Sequence, residues 1–293
     1  MPNISNASAP RLKKNSELIR IFKMLGRNKI AVFCLCFFLF EILIAIIGPY
    51  VAPYDYTAMD MTSMFQKPSM KHFFGTDDLG RDIFSRILIG ARYSITMGLC
   101  AVALSTTLGL IIGSVAGFFG GQTDNVIMRL LDVIQALPGM LLMIVLSAVL
   151  GSGFFNTILA LSVNGIPATA RMLRAQMLRV REAEFIEAAH SINCSRTRII
   201  VQHLLPNSIS PIIVQTTMGI AGTITMAASL SFIGLGIQPP IPEWGAMLSA
   251  SRQYIRQYPY MIIFPGLAIA ITVLCLNILG DGLRDVLDPK LKN

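Results

Sequence analysis

The chain has 293 residues, of which 54% are hydrophobic and only 14% charged, against about 25% charged in ordinary soluble domains. That composition excludes a water-soluble enzyme. The net charge of +8 comes from basic residues with no aromatic-interleaved pattern, so it points to membrane orientation and anionic lipid, with no nucleic-acid partner expected.

Residues 1–29 join a polar start to a basic stretch from Arg11 to Lys29. A short interfacial helix leading into the first apolar run is expected there, ordered only after about residue 15. No small-residue cleavage site follows, so the first run is read as a retained anchor. Apolar runs at about 30–50, 93–118, 133–150, 153–170, 210–236 and 259–280 each approach or exceed the roughly 17–25 residues that hydrocarbon requires. The fold class expected is therefore an all-α integral membrane protein with six transmembrane helices. Of the 24 Lys and Arg, 17 lie in the segments 1–29, 119–132, 171–209 and 281–293, and 7 in 51–92 and 237–258. The positive-inside rule then puts both termini in the cytoplasm.

Among all the charged residues only Glu41 falls inside a run. It sits about 17 Å along the first span from Ile30, near mid-membrane. A carboxyl there is a functional candidate, or a single protonated Glu facing a partner helix. The connection 51–92 opens with a turn at Ala52-Pro53 and passes Pro68 to an expected interfacial helix from Asp82 to Ile89. A composition change near residue 92 marks a domain edge. The expected organisation is a segment 1–29, a first helix plus outer loop over 30–92, a five-helix core over 93–282 and a tail over 283–293.

Gly109, Gly113 and Gly117 form a smooth ridge on the second span, suited to close helix approach. The fifth span opens with Ser210-Pro211, read as a cap followed by proline at the first helical position. It carries Gln215, Thr216, Thr217, Thr223 and Thr225, either lining a polar pathway or bonding neighbouring helices.

No G-x-x-x-x-G-K-[ST] phosphate loop occurs, so this chain is not expected to hydrolyse nucleotide. The five cysteines read as packing residues. His72, His190 and His203 share no ligand spacing, so no metal or catalytic residues are expected. One intramembrane carboxyl argues against a secondary transporter or proton pump.

Residues 181–207 read as two short helices. One covers about 182–192, with Phe185, Ala188, Ala189 and Ile192 on an apolar face; the other covers about 195–205, with Ile199, Ile200 and Leu204. Asn193 between them suits a left-handed turn. This stretch resembles the cytoplasmic loop of permease subunits of binding-protein-dependent ABC importers, which reads E-A-A, three residues, G, then about eleven residues to L-P. Glu187-Ala188-Ala189 and Leu205-Pro206 match at that spacing. The family's glycine is Asn193 here, and His203 replaces an isoleucine.

A second block runs from His72 through Gly75-Thr76-Asp77-Asp78-Leu79-Gly80-Arg81-Asp82 to Gly90-Ala91-Arg92. It is similar to the signature of the dipeptide, oligopeptide and nickel permeases of the C type. Asp132 with Pro138, Ser231 to Gly236, Trp244-Gly245 and Asn277 to Asp288-Pro289 extend the resemblance over about residues 20–290. Physically, the Gly75–Asp82 block reads as a locally paired turn at the outer surface, with contact to a binding protein as the alternative.

The resemblance implies the ABC type I importer permease fold in a bacterial or archaeal plasma membrane. It implies a second homologous permease subunit, two cytoplasmic ATPase subunits that carry ATP and magnesium, and an extracytoplasmic substrate-binding protein. This chain itself would bind no cofactor. Its elbow would enter a groove on an ATPase and couple hydrolysis to alternating access. The implied cargo is di- or oligopeptide; nickel or another small solute carried by the same machine is the alternative.

Overall fold

The computed structural model describes residues 24–287; most of the expected interfacial helix and the Asp288-Pro289 pair lie outside them. The described residues form helices, with a single isolated β-bridge between Thr76 and Asp82. Helix α1 (Lys29–Val51) is capped by Asn28, whose side-chain oxygen accepts from the Ala31 amide at 3.1 Å. An outer loop then leads to α2 (Ile83–Phe119), which Asp82 caps through the Ser85 amide. The helix expected from Asp82 to Ile89 is not separate. It forms the first turns of α2, which runs unbroken through residue 92, and at Gly90 the Pro242 carbonyl and the Trp244 ring lie against its backbone.

Gly120 and Gly121, both at positive φ, end α2 and start α3 (Gly121–Gln135). The run expected over 133–150 is interrupted. Pro138 forces a break, and α4 (Gly139–Leu150) leaves α3 at 83°. Helix α5 (Phe154–Arg181) continues past the apolar run that ends at 170 and carries four arginines in its last eleven residues. Then come α6 (Glu184–Ser191), α7 (Arg196–Arg198), a π-helical stretch Ile199–Leu204, and α8 (Leu205–Ser208). Helix α9 (Ser210–Phe232) follows. Ser210 does not cap it: Ile209 is already helical and no side-chain cap bond forms, so the chain enters α9 with its helix established. The run expected to 236 stops at Phe232, and Gly234 turns away at φ 85°. The chain ends with α10 (Trp244–Ser251) and α11 (Tyr260–Leu287).

Four of these helices, α1, α2, α9 and α11, are long and apolar enough to cross a membrane, or five spans if the bent α3–α4 pair counts as one. Helix α5 falls outside that set: Asn156, Asn164 and Pro167 interrupt its apolar stretch and arginines follow from residue 171. The glycine ridge does what its spacing predicts: Gly109 faces Thr169, Gly113 faces the Ala170 backbone and Gly117 faces Met177, all on α5. Helix α11 packs on α9 and α1, and α1 also packs on α2.

Glu41 lies between α1 and α11, 8% exposed. Its Oε1 is 2.6 Å from the Thr272 hydroxyl, which is also 2.8 Å from the Ala268 carbonyl oxygen, while Oε2 has no partner. Both contacts fall on the one Thr272 hydroxyl, which ties the Glu41 side chain of α1 to the backbone of α11. The geometry is that of a clasp between two helices.

Candidate functional site

The two ends of α2 are separated by about 55 Å of helix, and each carries one of the motifs read from the sequence. At its Phe119 end sits the elbow made of α6, α7, the π-helical stretch and α8. Ile186, Ala189, Ile199 and Leu204 are buried against Leu173 and Met177 of α5 and Ile212 of α9, with Phe118 of α2 alongside. The apolar face of α6 is therefore rotated from the expected one. Phe185 and Ile186 are adjacent apolar residues, and the fold buries Ile186. Phe185 (44% exposed), Ala188 and Ile192 (76% exposed) point outward, and only Ala189 of the expected face is buried. Asn193 adopts φ 56°, the left-handed turn anticipated between the two elbow helices. Glu187 is exposed and its carbonyl accepts from Ser191 Oγ at 3.0 Å. Leu205 and Pro206 open α8 without interrupting the helical path. The elbow thus presents a short helix with an outward apolar face, while its inward residues fix it to the ends of α5 and α9.

At the other end, the Gly75–Asp82 block turns its charges inward. Gly75 and Gly80 take φ 78° and 72°, which permits the tight turn. Asp77 accepts from Arg81 Nε at 2.7 Å and from the Leu79 and Arg81 amides at 2.9 Å. Asp82 Oδ1 lies 2.9 Å from His72 Nδ1, and Oδ2 accepts from Ser85 Oγ at 2.7 Å. Thr76 Oγ1 accepts from the Gln66 amide at 2.8 Å. Thr76, Asp77, Arg81 and Asp82 are all buried, so the block is a paired turn whose side chains are directed into the loop itself. Nearby, exposed Asp60 is held down to about 2 by the Ser63 and Thr62 hydroxyls and the Thr62 amide.

Of the polar residues on α9, Gln215 lines a cavity of about 800 Å³ among α5, α9 and α11. Thr223 lines a smaller one of about 230 Å³ with Ser105, Asn164 and Met226. Thr216 instead meets Thr106 of α2 at 3.3 Å, and Thr217 and Thr225 donate back to carbonyls of their own helix.

Three groups escaped the sequence reading. Glu243, 1% exposed, caps α10 by accepting from the Gly245 and Ala246 amides at 2.9 and 2.8 Å and from Ser94 Oγ of α2 at 3.2 Å. Burial pushes its carboxyl up and those donors pull it back; an acid directly before Trp244 was its only signal. The others are ion pairs between α3 and α5. Arg174 grips both oxygens of Asp124, with Nε at 2.6 Å, and Arg171 reaches Asp132 at 2.7 Å and Gln135. Partners 50 and 39 residues apart leave no local pattern to find. The Asp124 fork is half-buried, so removing one partner should cost on the order of 1–3 kcal/mol. Asp124→Arg or Arg174→Asp alone should lower the Tm of the purified complex, and the combined exchange should regain at least half of the loss. No recovery in the exchange would show that the pair does not hold α3 to α5.

Fold and motifs together define a multi-pass helical membrane protein with a protruding elbow. Residues 109–293 match the family described as binding-protein-dependent transport system inner membrane component, and residues 16–68 match the N-terminal TM domain of oligopeptide transport permease C. The dipeptide transport system permease protein DppC of Alkalihalophilus pseudofirmus is 44% identical over 93% of this chain and 90% of its own length. The glutathione transport system permease protein GsiD of Escherichia coli is 47% identical over 91% and 88%. Among solved structures, a chain of the MetNI methionine ABC transporter in an inward-facing conformation aligns with a TM-score of 0.56 at 18% identity, covering 69% of this chain and 96% of that one; this likeness concerns the fold. The chain belongs to the binding-protein-dependent transport inner-membrane components, the permeases of ABC importers.

Proposed function

We propose that this chain is one of two nonidentical membrane subunits of an ATP-driven importer of di- or oligopeptides, crossing the membrane six times with both termini in the cytoplasm. In this reading α3 and α4 together make the third crossing and α5 the fourth. The support is that Leu25 and Val286 pack together, so that the two ends of the described chain meet. Arg284 and Leu287 also share a cavity with Arg179, close to the elbow. The partner ATPases would hold ATP and magnesium, and an extracytoplasmic binding protein would deliver cargo.

The observation that carries the mechanism is the two-sided elbow. Its outward residues Phe185, Ala188 and Ile192 are free to enter a groove, while Ile186, Ala189, Ile199 and Leu204 lock it to α5 and α9. Closure of the ATPases would displace the elbow as a rigid body. Because α5 and α9 are fixed to it, they would move too and switch the pathway between inward and outward access. The peptide cargo is supported by the likeness to dipeptide and glutathione permeases.

The test is uptake into proteoliposomes that contain this chain with its partner permease, the ATPases and the binding protein. Labelled dipeptide should accumulate with ATP and not without it. Accumulation of nickel in place of dipeptide would overturn the cargo assignment, and ATP-independent uptake by this chain alone would overturn the whole reading.

A further inference from the structure

We propose that the smaller cavity, enclosed by α2, α4, α5 and α9, is a subsite for the backbone of a passing peptide, read by the Asn164 amide; this rests on the peptide-importer reading above. The cavity, about 230 Å³, is lined by Ser105 of α2, Met143 of α4, Asn164 of α5, and Gly222, Thr223 and Met226 of α9. That is far more than the roughly 10–15 Å³ that one water needs. Asn164 lies about 15 Å along α5 from its Phe154 end, and Thr223 about 14 Å along α9 from its Phe232 end. Both are the ends away from the elbow, so the two side chains share one depth, near mid-membrane in the six-crossing reading.

The polar side chains of these two helices divide into two kinds. Thr157, Ser162 and Thr169 of α5 and Thr217, Thr225 and Ser229 of α9 each donate to a carbonyl three or four residues earlier. Asn164 bonds nothing among the described residues, yet it is half-buried and its amide atoms are not sealed inside the protein, so they are reachable from the cavity they line. The amide rests against Gly139 of α4, where a Cβ would lie 2.6 Å from Asn164 Oδ1. Lipid cannot satisfy such a group, so the contents of the cavity have to. The wall narrows what those contents are. No charged side chain lines it, so a nickel ion would find no carboxylate, imidazole or thiolate there. An amide both donates and accepts, and an extended residue presents its own N–H and C=O on one side. Asn164 can therefore bond a peptide residue at both groups whatever its side chain, while the methionines adapt to that side chain.

The test is ATP-driven uptake by the full complex with saturating binding protein. It compares glycylglycine with glycylsarcosine, whose peptide nitrogen carries a methyl group and no hydrogen. The same binding protein serves every preparation, so its own preference cancels when the ratio of the two rates is compared between variants. Asn164→Leu and the smaller Asn164→Ala should lower glycylglycine uptake and shrink that ratio about fivefold, roughly the worth of one hydrogen bond. A Cβ at Gly222 meets nothing within 4 Å, so Gly222→Leu should fill the cavity and block most uptake of both peptides in a complex of wild-type Tm. Equal losses for the two peptides in the Asn164 variants would mean that the cavity holds only water or that the amide is structural, and would overturn the subsite. Undiminished uptake in Gly222→Leu would overturn it too. A wild-type complex that takes up neither peptide sinks the peptide-importer reading, whereas wild-type uptake with an unchanged ratio in the variants sinks only the subsite.

Discussion

Replacing Ala188 with Trp together with Glu187 with Arg should cut ATP-driven uptake at least tenfold while leaving substantial ATP hydrolysis by the assembled complex. Both side chains are exposed on α6, and neither belongs to the cluster that fixes the elbow to α5 and α9. The permease should therefore fold, since exposed substitutions away from structural features usually change stability by no more than about 0.5 kcal/mol. What changes is the outward surface, where a bulky indole and a reversed charge would meet a groove shaped for a small residue and an acid. Mechanical coupling depends on that fit, whereas ATP chemistry resides in other subunits under the proposed mechanism. Ala189→Trp is the informative contrast. Ala189 is 5% exposed and packed inward, so its enlargement should displace the elbow itself and lower Tm. Uptake and hydrolysis that stay at wild-type levels in the double variant would remove α6 from the coupling path.

The helices were legible because hydrocarbon excludes charge, so long apolar runs mark them without any knowledge of packing. Where the reading slipped, a tertiary partner had changed the local rule. The apolar run stops at residue 170, but the helix continues to Arg181, with Arg171 and Arg174 paired to acids on α3. Ser210-Pro211 reads as a helix start in isolation, yet α8 delivers the chain already helical. On α6 the two apolar neighbours Phe185 and Ile186 left the buried face ambiguous by one position, and contact with Leu173 and Met177 decided it. Asn193 was legible because a left-handed turn is a local property that few residues tolerate. The Gly75–Asp82 block was visible as a set of turn residues with charges of both signs. That those charges would be internally satisfied, with His72 closing on Asp82, follows only from the three-dimensional path of the loop.

Gly113→Leu should force α2 away from α5 and prevent recovery of a folded complex. A Cβ at Gly113 would lie 2.6 Å from the Ala170 carbonyl oxygen and 3.1 Å from the Ala170 Cα. Both are backbone atoms, so no side chain can rotate out of the way and α2 must separate from α5. Separation at the middle of the ridge also loosens the approaches of Gly109 to Thr169 and of Gly117 to Met177. In a bilayer that loss is not offset by hydrophobic association, because lipid tails solvate apolar side chains as well as a neighbouring helix does. Overpacking typically costs about 1–3 kcal/mol, and a clash of backbone against backbone belongs at or above the top of that range. The effect should reach the elbow, because its buried residues rest on Leu173 and Met177 of the same helix. Gly222→Leu is the matched control: nothing lies within 4 Å of a Cβ at Gly222, so that variant should still yield folded complex. The measurement is the monodisperse yield and Tm of each variant in detergent. A Gly113→Leu complex that unfolds within about 2 °C of wild type would show that the α2–α5 contact is not what holds the bundle together.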